Sequence, residues 1–479
     1  MSNTPGANQL RRNTLGVGAV TFLVISAAAP LTAIAGGVPL SMLLGNGAGV
    51  PAAFLLVTLI LLLFAVGYLA MARHIRNAGA FYAFTAQGLG GLPGGAAAAI
   101  AILAYNCMQI GLFGLFGAAT AGLFAGVGLE LPWWVWTYIG IAIVAYLGYR
   151  NIDLSTKILT VLVLLEYLVV MVIDFAIISQ GGDSGLSVAS SFSPSAFFSG
   201  TPAIGILFCF AAFIGFEATT IYSEEARTPK TTIPRATYIA VLIIGGFYML
   251  SSWLIVGGVG ADKLLPTLQG LQDPTTLVFS LAERYVGAWI VPIMNILFVS
   301  SLFAGVLAFH NSVARYIYVA GRERLLWDFF GKTHDPLQSP HIGSVSQTVT
   351  AVLVVALFAF TGQDPILGLF SWLTNVATLA ILVLMLLTSI AVVMFFKANP
   401  GLESNPLTIK ILPSAVSVVL LALILFITLN FAGIAGANGF LAVLLPGLVV
   451  IAAGVGLLLA AYLRSHDAAA FAALGQTKD

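Results

Sequence analysis

Glu217 is the residue whose chemistry is most unusual for its surroundings. It lies inside an apolar stretch that begins at Thr201 and reads T-P-A-I-G-I-L-F-C-F-A-A-F-I-G-F-E-A-T-T-I-Y. A carboxylic acid within hydrocarbon costs about 2.5–3.5 kcal/mol even on lenient scales, and chains tolerate it where the group faces a cavity or a partner. We therefore expect Glu217 to be a protonatable coupling group or a gate residue bonded to the backbone of the first apolar segment. The alternative is a neutral acid that makes a structural hydrogen bond.

Two apolar stretches carry residues that interrupt a helix near its centre. Residues 16–44 contain S-A-A-A-P-L-T at 26–32, and the stretch around Glu217 contains Gly215. Pro30 lacks an N–H and clashes with the preceding turn, so backbone groups around it need other partners, and a bound ligand is one such partner. Interrupted segments opening each half of a membrane chain indicate the midplane site of a transporter. The alternative is a plain kink with small residues for close helix packing.

Polar residues inside other apolar segments each have two interpretations. Tyr105 and Gln109 share a helical face, and they either line the substrate path or lock helices together. Lys157 either snorkels to the membrane surface or stands where a coupling cation would sit. Glu166 lies about 180° around the helix from Lys157, so we expect no pairing between them, and it has a packing or a transport role. Minor candidates for the pathway are Ser300, Ser301, Trp372 and Asn375, and we expect a structural or gating role for His310.

The composition is that of a polytopic helical membrane protein. The 479 residues are 59% hydrophobic and only 8% charged, with a mean hydropathy of +1.03, whereas soluble domains are about 25% charged. Cys107 and Cys209 lie in apolar segments, which is typical of reduced core residues. The histidines lack ligand spacing, so we expect no metal and no cofactor. A membrane enzyme would need a polar catalytic cluster at an interface, and because we find none we predict no catalytic residues.

Apolar segments of about 20 residues span a bilayer. The sequence predicts twelve of them, at 15–44, 50–72, 95–126, 132–150, 156–179, 202–223, 236–260, 286–318, 345–362, 365–396, 409–431 and 439–464.

The distribution of basic residues predicts the orientation. With the N-terminus inside, seventeen lysines and arginines lie in inner loops and tails, and only Lys263 and Arg284 lie outside. This asymmetry places both termini in the cytoplasm. We expect a cytoplasmic tail at 1–14, a ten-helix transport core at 15–396, helices 11 and 12 at 397–464 and a second cytoplasmic tail at 465–479, with both tails disordered.

Several motifs resemble the amino acid–polyamine–organocation (APC) superfamily of permeases. A-A-F-I-G-F-E at 211–217 and E-E-A-R-T-P-K-T-T-I-P-R-A at 224–236 resemble its broken sixth helix and the loop that follows. N-A-G-A-F-Y-A-F at 77–84 is similar to the loop after its second helix, with Ala80 where a second glycine is common, and S-T-K at 155–157 to the start of its fifth helix. A-R-Y-I-Y-V-A-G-R-E-R-L-L at 314–326 resembles the end of its eighth helix. Together the motifs indicate the superfamily rather than a substrate.

The resemblance implies an all-α integral membrane fold of 12 transmembrane helices. Helices 1–5 and 6–10 would form two inverted repeats, with helices 1 and 6 discontinuous around the substrate, and helices 11 and 12 would follow. It implies that Lys157 replaces a sodium ion. With Glu217 added from the reasoning above, the expected coupling or gating residues are Lys157 and Glu217. With Tyr105 and Gln109 added from the reasoning above, the expected substrate-binding residues are Ala28, Ala29, Pro30, Leu31, Thr32, Tyr105, Gln109, Ala211, Ala212, Phe213, Ile214 and Gly215.

We therefore expect a secondary active transporter that imports an amino acid across the cytoplasmic membrane by alternating access. Its partners would be the small-molecule substrate, the lipid bilayer and a proton, with no nucleic acid. Coupling would be independent of sodium and driven by protons or by exchange. Pro30-Leu31-Thr32 stands where many members have Gly-small-Gly, so a polyamine or monoamine transporter is the alternative. A single carboxylate near the breaks disfavours a polyamine. A non-transporting sensor is a further alternative.

Overall fold

The computed structural model describes residues 15–75, 79–150, 156–183, 185–221, 226–334, 339–434 and 439–476. Helices make up most of this part of the chain, and the extended pairing within it consists of two isolated bridges, Leu15–Ala226 and His334–Ser339. The predicted N-terminal tail at 1–14 lies outside the described residues. For Lys157 only the backbone is described.

We number the main helices α1 to α12 in chain order, with a and b for the halves of interrupted ones. Their bounds are α1a Val17–Ala27, α1b Thr32–Gly37 with Val38–Leu40 and Ser41–Asn46, α2 Val50–Ala72, α3 Gly91–Ala125, α4 Trp133–Tyr149, α5 Thr156–Gln180, α6a Pro202–Ala211, α6b Ala218–Ile221, α7 Pro229–Val259, α8 Ile290–Arg322, α9 His341–Phe360, α10 Pro365–Phe370 with Ser371–Ala398, α11 Leu407–Ile411 with Leu412–Leu429, and α12 Gly439–His466.

Shorter helices connect these elements. They are Gly47–Gly49, Phe81–Leu89, Ala189–Phe192, Pro194–Phe197, Ala261–Gly270, Pro274–Thr276, Leu277–Tyr285, Asp328–Gly331, Phe431–Gly433 and Ala468–Ala472.

Within the described ranges, nine helices are long and apolar enough to cross a bilayer, so the chain is a multi-pass membrane protein. This number counts α1b and α2 as one stretch, Thr32–Ala72, because α1b runs into α2 through a kink at Gly45. The 17-residue α4 and the 10-residue α6a are apolar but shorter than a full span. Because α1 and α6 are interrupted, neither is counted as a separate span when spans are identified by helix length. The number of twelve spans stays a prediction.

The order of helices recurs in the two halves of the core. Each half opens with a broken helix, and its third helix is very long, with 35 residues in α3 and 33 in α8. These two long helices pack against each other, and α2 packs on α7. The most apolar windows of α11 and α12 are only 22% and 17% buried, so both helices lie at the periphery. The pattern agrees with two five-helix repeats followed by two added helices.

The C-terminal segment is ordered as far as residue 476, so the expectation of a disordered tail from residue 465 is wrong there. Ala468–Ala472 forms a short helix, and the Asp467 carboxylate accepts a hydrogen bond from the Ala470 N–H at 2.9 Å. Arg324, at the end of α8, donates to Asp467 at 2.7 Å. These bonds from Ala470 and Arg324 lower the pKa of the Asp467 carboxyl. The Gly475 N–H donates to Glu323 at 2.7 Å, which fixes the segment on the membrane core.

Candidate substrate site between two broken helices

The break in α1 is built into its backbone. After α1a ends at Ala27, Ala29 adopts a left-handed conformation with φ +44°, and the chain resumes a helical path at Pro30. A left-handed residue with a Cβ costs about 1–2 kcal/mol. Proline suits the first position of a helix because its missing N–H needs no partner there. The local sequence thus fixes where the hydrogen-bond ladder stops.

The break in α6 uses a glycine in place of a proline. α6a ends at Ala211, residues 212–217 form turns, and the chain becomes helical again at Ala218. Gly215 has φ +111°, a region that residues with a Cβ rarely adopt. Both predicted interruptions are therefore present, and each lies at the residue type that can produce it.

A cavity of about 60 Å³ lies between the two breaks. One water needs about 10–15 Å³ by this measure, so there is room for a small solute. Both breaks contribute to the wall, and its polar side chains are Thr32, Ser41 and Thr374. The remainder of the wall is apolar, with aromatic rings on several sides. The lining residues are Ala28, Ala29, Thr32, Ala33, Gly37, Val38, Ser41, Phe54, Met108, Leu112, Phe208, Ala211, Ala212, Ile214, Phe309, Phe370 and Thr374.

One backbone donor of the α6 break, the Gly215 N–H, is bonded by a nearby carboxylate. Glu217 is fully buried, and its Oε2 accepts the Gly215 N–H at 3.0 Å. The Tyr105 hydroxyl on α3 donates to its other oxygen, Oε1. The Thr220 hydroxyl donates to the Glu217 carbonyl at 2.9 Å. Among the described residues, Glu217 is therefore bonded to α3 and to its own break, rather than to the backbone of α1 as expected.

The first backbone donor after the α1 break, the Leu31 N–H, is bonded by a carboxylate from another helix. Glu166 on α5 is 1% exposed, and its Oε2 accepts the Leu31 N–H at 3.2 Å and the Ser301 hydroxyl at 2.7 Å. The Thr32 N–H and hydroxyl both approach the Ser301 oxygen, at 3.3 and 3.0 Å. The Ala33 N–H returns to the Ala29 carbonyl at 3.0 Å. Every N–H donor from Leu31 to Ala33 thus has a partner within the protein.

Comparison with known proteins identifies the family. A sequence model described as amino acid permease matches residues 15–454. The chain belongs to the amino acid permease family. Its relatives include the branched-chain amino acid permease BcaP of Bacillus subtilis, 25% identical over 83% of this chain and 84% of that protein. The low-affinity putrescine importer PlaP of Escherichia coli is 23% identical over 64% of this chain and 67% of that protein. These relatives place the permease in the APC superfamily.

Solved structures share the fold of this permease. The crystal structure of the Eremococcus coleocola manganese transporter mutant H236A superposes with a TM-score of 0.55, covering 96% of this chain and 99% of that one. The two sequences are 15% identical, so this likeness concerns architecture alone.

The permease brings half of the expected binding residues to the cavity wall. These are Ala28, Ala29, Thr32, Ala211, Ala212 and Ile214. Pro30, Leu31, Phe213 and Gly215 shape the breaks without lining the cavity. Met108 and Leu112, three residues after Tyr105 and Gln109, form the part of α3 that meets the cavity. Three residues turn a helix by about 300° and advance it by about 4.5 Å, so the two pairs lie about 60° apart around α3 and nearly one turn apart along it.

Gln109 belongs to a buried polar cluster that joins three helices. Its amide nitrogen lies 3.2 Å from His310 Nδ1 on α8, and the Gln347 amide on α9 donates to its oxygen. His310 Nε2 lies 2.7 Å from the Ser344 hydroxyl. Of the two interpretations of Gln109, this arrangement favours the locking of helices.

Sequence reasoning missed Tyr248 and left Glu166 undecided. The Tyr248 hydroxyl on α7 donates to the Ala28 carbonyl at 2.9 Å, on the acceptor side of the α1 break. Its position in the middle of an apolar helix was the available signal. The partners of Glu166 are 135 residues away in either direction, so no local pattern reveals them.

Proposed function

We propose that this permease is a secondary active transporter that imports a small amino acid by alternating access. The observation that supports it is the cavity between the α1 and α6 breaks. Backbone at helix ends carries partial charges, positive at N-termini and negative at C-termini. An amino acid is a zwitterion with one group for each end, and the breaks offer both kinds of end next to one cavity.

The wall of the cavity favours an apolar side chain. Phe54, Met108, Leu112, Phe208 and Phe309 surround the space with few polar atoms. A charged or strongly polar side chain would lose its hydration there without an ion partner in the wall. The small volume favours a compact substrate, and the BcaP relative transports branched-chain amino acids by its name. We therefore favour alanine, valine and their neighbours in size over basic amino acids.

Several finer features belong to the same proposal. The substrate contacts Ala28, Ala29, Thr32, Ala212 and other residues of the two breaks. Coupling is independent of sodium because S-T-K at 155–157 resembles the helix 5 motif of sodium-independent members, in which Lys157 replaces the ion. The permease lies in the cytoplasmic membrane with both termini inside, as the basic residues of its loops indicate.

A carboxylate-free amine is the second candidate, and one observation favours it. The N–H of Leu31 already bonds Glu166, and the N–H of Gly215 already bonds Glu217. A substrate carboxylate would have to replace one of these internal carboxylates, whereas an amine would not. The PlaP relative is a putrescine importer by its name.

Reconstitution in liposomes tests the proposal. We expect uptake of labelled alanine, valine or leucine in sodium-free buffer, with excess unlabelled amino acid competing and putrescine or phenylethylamine failing to compete. Ala212→Phe fills the cavity and should abolish uptake, while Ala118→Phe, on α3 outside the cavity wall, should not. Uptake of amines without amino acids would overturn the substrate class. An absolute requirement for sodium would overturn the role given to Lys157.

A further inference from the structure

Glu166 ties the α1 break to two other helices. Its side chain is on α5, one of its donors is the Leu31 N–H at the start of the second half of α1, and the other is Ser301 on α8. Ser301 in turn accepts the Thr32 N–H. A single buried carboxylate therefore connects the start of the second half of α1 to α5 and α8.

The place that Glu166 occupies is a natural anion site. The first N–H groups of a helix point at a ligand, and the local dipole favours negative charge. The carboxylate of an amino acid bound in the cavity would seek the same donors, because Thr32 is part of the cavity wall. Two carboxylates at one site cannot both stay ionised without a large cost. Substrate carboxylate and ionised Glu166 are therefore competitors for the start of α1b.

We propose that Glu166 is the proton-coupling carboxylate of this permease, a role that rests on the proposed amino acid transport. Ionised Glu166 holds the Leu31 N–H and Ser301. When Glu166 takes up a proton from the solution, it loses its charge and releases these donors to the carboxylate of the arriving amino acid. After the substrate leaves on the other side, the proton leaves with it. One proton crosses with one zwitterion, and the negative charge at the start of α1b stays constant.

Few other ionisable groups act on this site. Tyr167, the next residue on α5, and Tyr248 on α7 are the described titratable side chains close enough to act electrostatically on Glu166. The contacts from α1 and α8 are backbone N–H and hydroxyl groups. The Lys157 side chain lies outside the described residues. The protonation of Glu166 therefore depends on burial, on these donors and on competition with the substrate.

The test compares Glu166→Gln with the wild-type protein in liposomes carrying a pH-sensitive dye. For the wild type, we expect the KM for a labelled amino acid to decrease as the pH is lowered, because protonation of Glu166 favours binding. The decrease is at most about tenfold per pH unit for one linked proton. An acid-outside gradient should drive accumulation and proton entry. For Glu166→Gln, we expect exchange of internal for external amino acid to persist. Its KM should change less than about twofold between pH 5 and 8, and gradient-driven accumulation should be lost.

Asp174→Asn is the matched control. Asp174 lies on the same helix, is 7% exposed, and accepts the Ser251 hydroxyl at 2.6 Å, so it is also a buried carboxylate paired with a serine. It lies outside the cavity wall, and its variant should keep the wild-type pH response. Glu166→Asp, which keeps a titratable group, should restore a pH response with weaker binding. Thermal unfolding of each variant in detergent shows that the fold is retained.

Four outcomes would contradict either the role of Glu166 in proton coupling or the proposed function. Glu166→Gln with wild-type accumulation and pH response overturns the inference while leaving amino acid transport intact. A wild type that exchanges amino acids without moving protons overturns it as well. A Glu166→Gln protein that fails to fold, together with a Glu166→Asp protein that lacks any pH response, also overturns it. A wild type that carries no amino acid overturns the proposed function itself.

Discussion

The two helix breaks of this permease differ in where their carboxylates come from. In α6, Glu217 accepts the N–H of Gly215, two residues away, so the carboxylate belongs to the break that it closes. In α1, Glu166 accepts the N–H of Leu31 from a helix 135 residues away. Glu217 thus closes its own break and receives one further bond, from Tyr105 on α3. A carboxylate on another helix links the break to its neighbours, so any change in its charge changes how the helices hold together.

This contrast suggests a fixed end and a movable end of the site. The bonds of Glu217 join it to α3 through Tyr105 and to Gly215, and the Tyr68 hydroxyl lies 2.5 Å from that of Thr220 beside it. The α1 break is connected to α5, α7 and α8 through Glu166, Tyr248 and Ser301. We expect α6 to be the rigid side and α1 the side that responds to substrate and proton.

The largest effect should come from Glu217→Ala. This change leaves the Tyr105 hydroxyl and the Gly215 N–H buried without a partner, at about 1–3 kcal/mol for each group. We expect uptake to fall at least about 100-fold and the melting temperature to drop. Glu217→Gln keeps an acceptor, so the fold should survive while transport is reduced. Glu217→Ala with uptake within threefold of wild type would show that the α6 break does not need its carboxylate.

Gly215→Ala should have the next largest effect. Its φ of +111° is unfavourable for any residue with a Cβ, and the strain should cost about 1–3 kcal/mol. The reverse change in the other break, Ala29→Gly, should remove about 1–2 kcal/mol of strain, offset in part by glycine entropy. Thermal unfolding of the two variants should therefore shift in opposite directions. If the melting temperatures of both variants shift in the same direction, the strain assigned to these two backbone conformations is contradicted.

Ser301→Ala should have a moderate effect on the α1 side. It removes a donor to Glu166 and the acceptor of the Thr32 N–H, and we expect about a tenfold lower kcat/KM for uptake. Ser300→Ala is the control, because the Ser300 hydroxyl donates along its own helix, to the Leu297 carbonyl at 2.9 Å. If kcat/KM falls equally in both variants, the loss reflects a general sensitivity of α8 to substitution and not the bond between Ser301 and Glu166.

The smallest effect should come from Asp183→Asn, far from both breaks. Hydrogen bonds from Lys263 and Arg284 lower the pKa of the Asp183 carboxyl. Its folded pKa is thus below its unfolded value, so its stabilisation is present above about pH 4 and disappears as the pH falls through the folded pKa. The melting temperature of the variant should be slightly lower at pH 7 and converge with the wild type in acid. A constant difference down to low pH would contradict this ion cluster.

The sequence predicted the features that are local in the chain. Pro30 and Gly215 interrupt helices by their own backbone chemistry, so both breaks were predictable from single residues. The carboxylate of Glu217 stands out because it lies beside one of them. The family motifs predicted the repeat architecture.

What sequence reasoning did not resolve depends on helix rotation and on distant contacts. Tyr105 and Gln109 lie on α3 as expected, but Met108 and Leu112, nearly one turn further along the helix, meet the cavity instead. The sequence left Glu166 equally suited to a packing role and to a transport role. Its partners Leu31 and Ser301 lie 135 residues away in either direction, and the sequence alone does not show that their helices meet α5. Tyr248 stood out only as a polar side chain within an apolar helix, and its acceptor, the Ala28 carbonyl, is 220 residues away.

The most direct test of a substrate between the two breaks is protection of a cysteine at Ala212 from a small methanethiosulfonate. The native Cys107 and Cys209, both buried and unpaired, are first replaced by alanine. We predict that the transported amino acid slows modification at position 212, with half protection near its KM, and leaves a control cysteine at Ala118 unaffected. Equal rates at position 212 with and without saturating substrate would contradict the account.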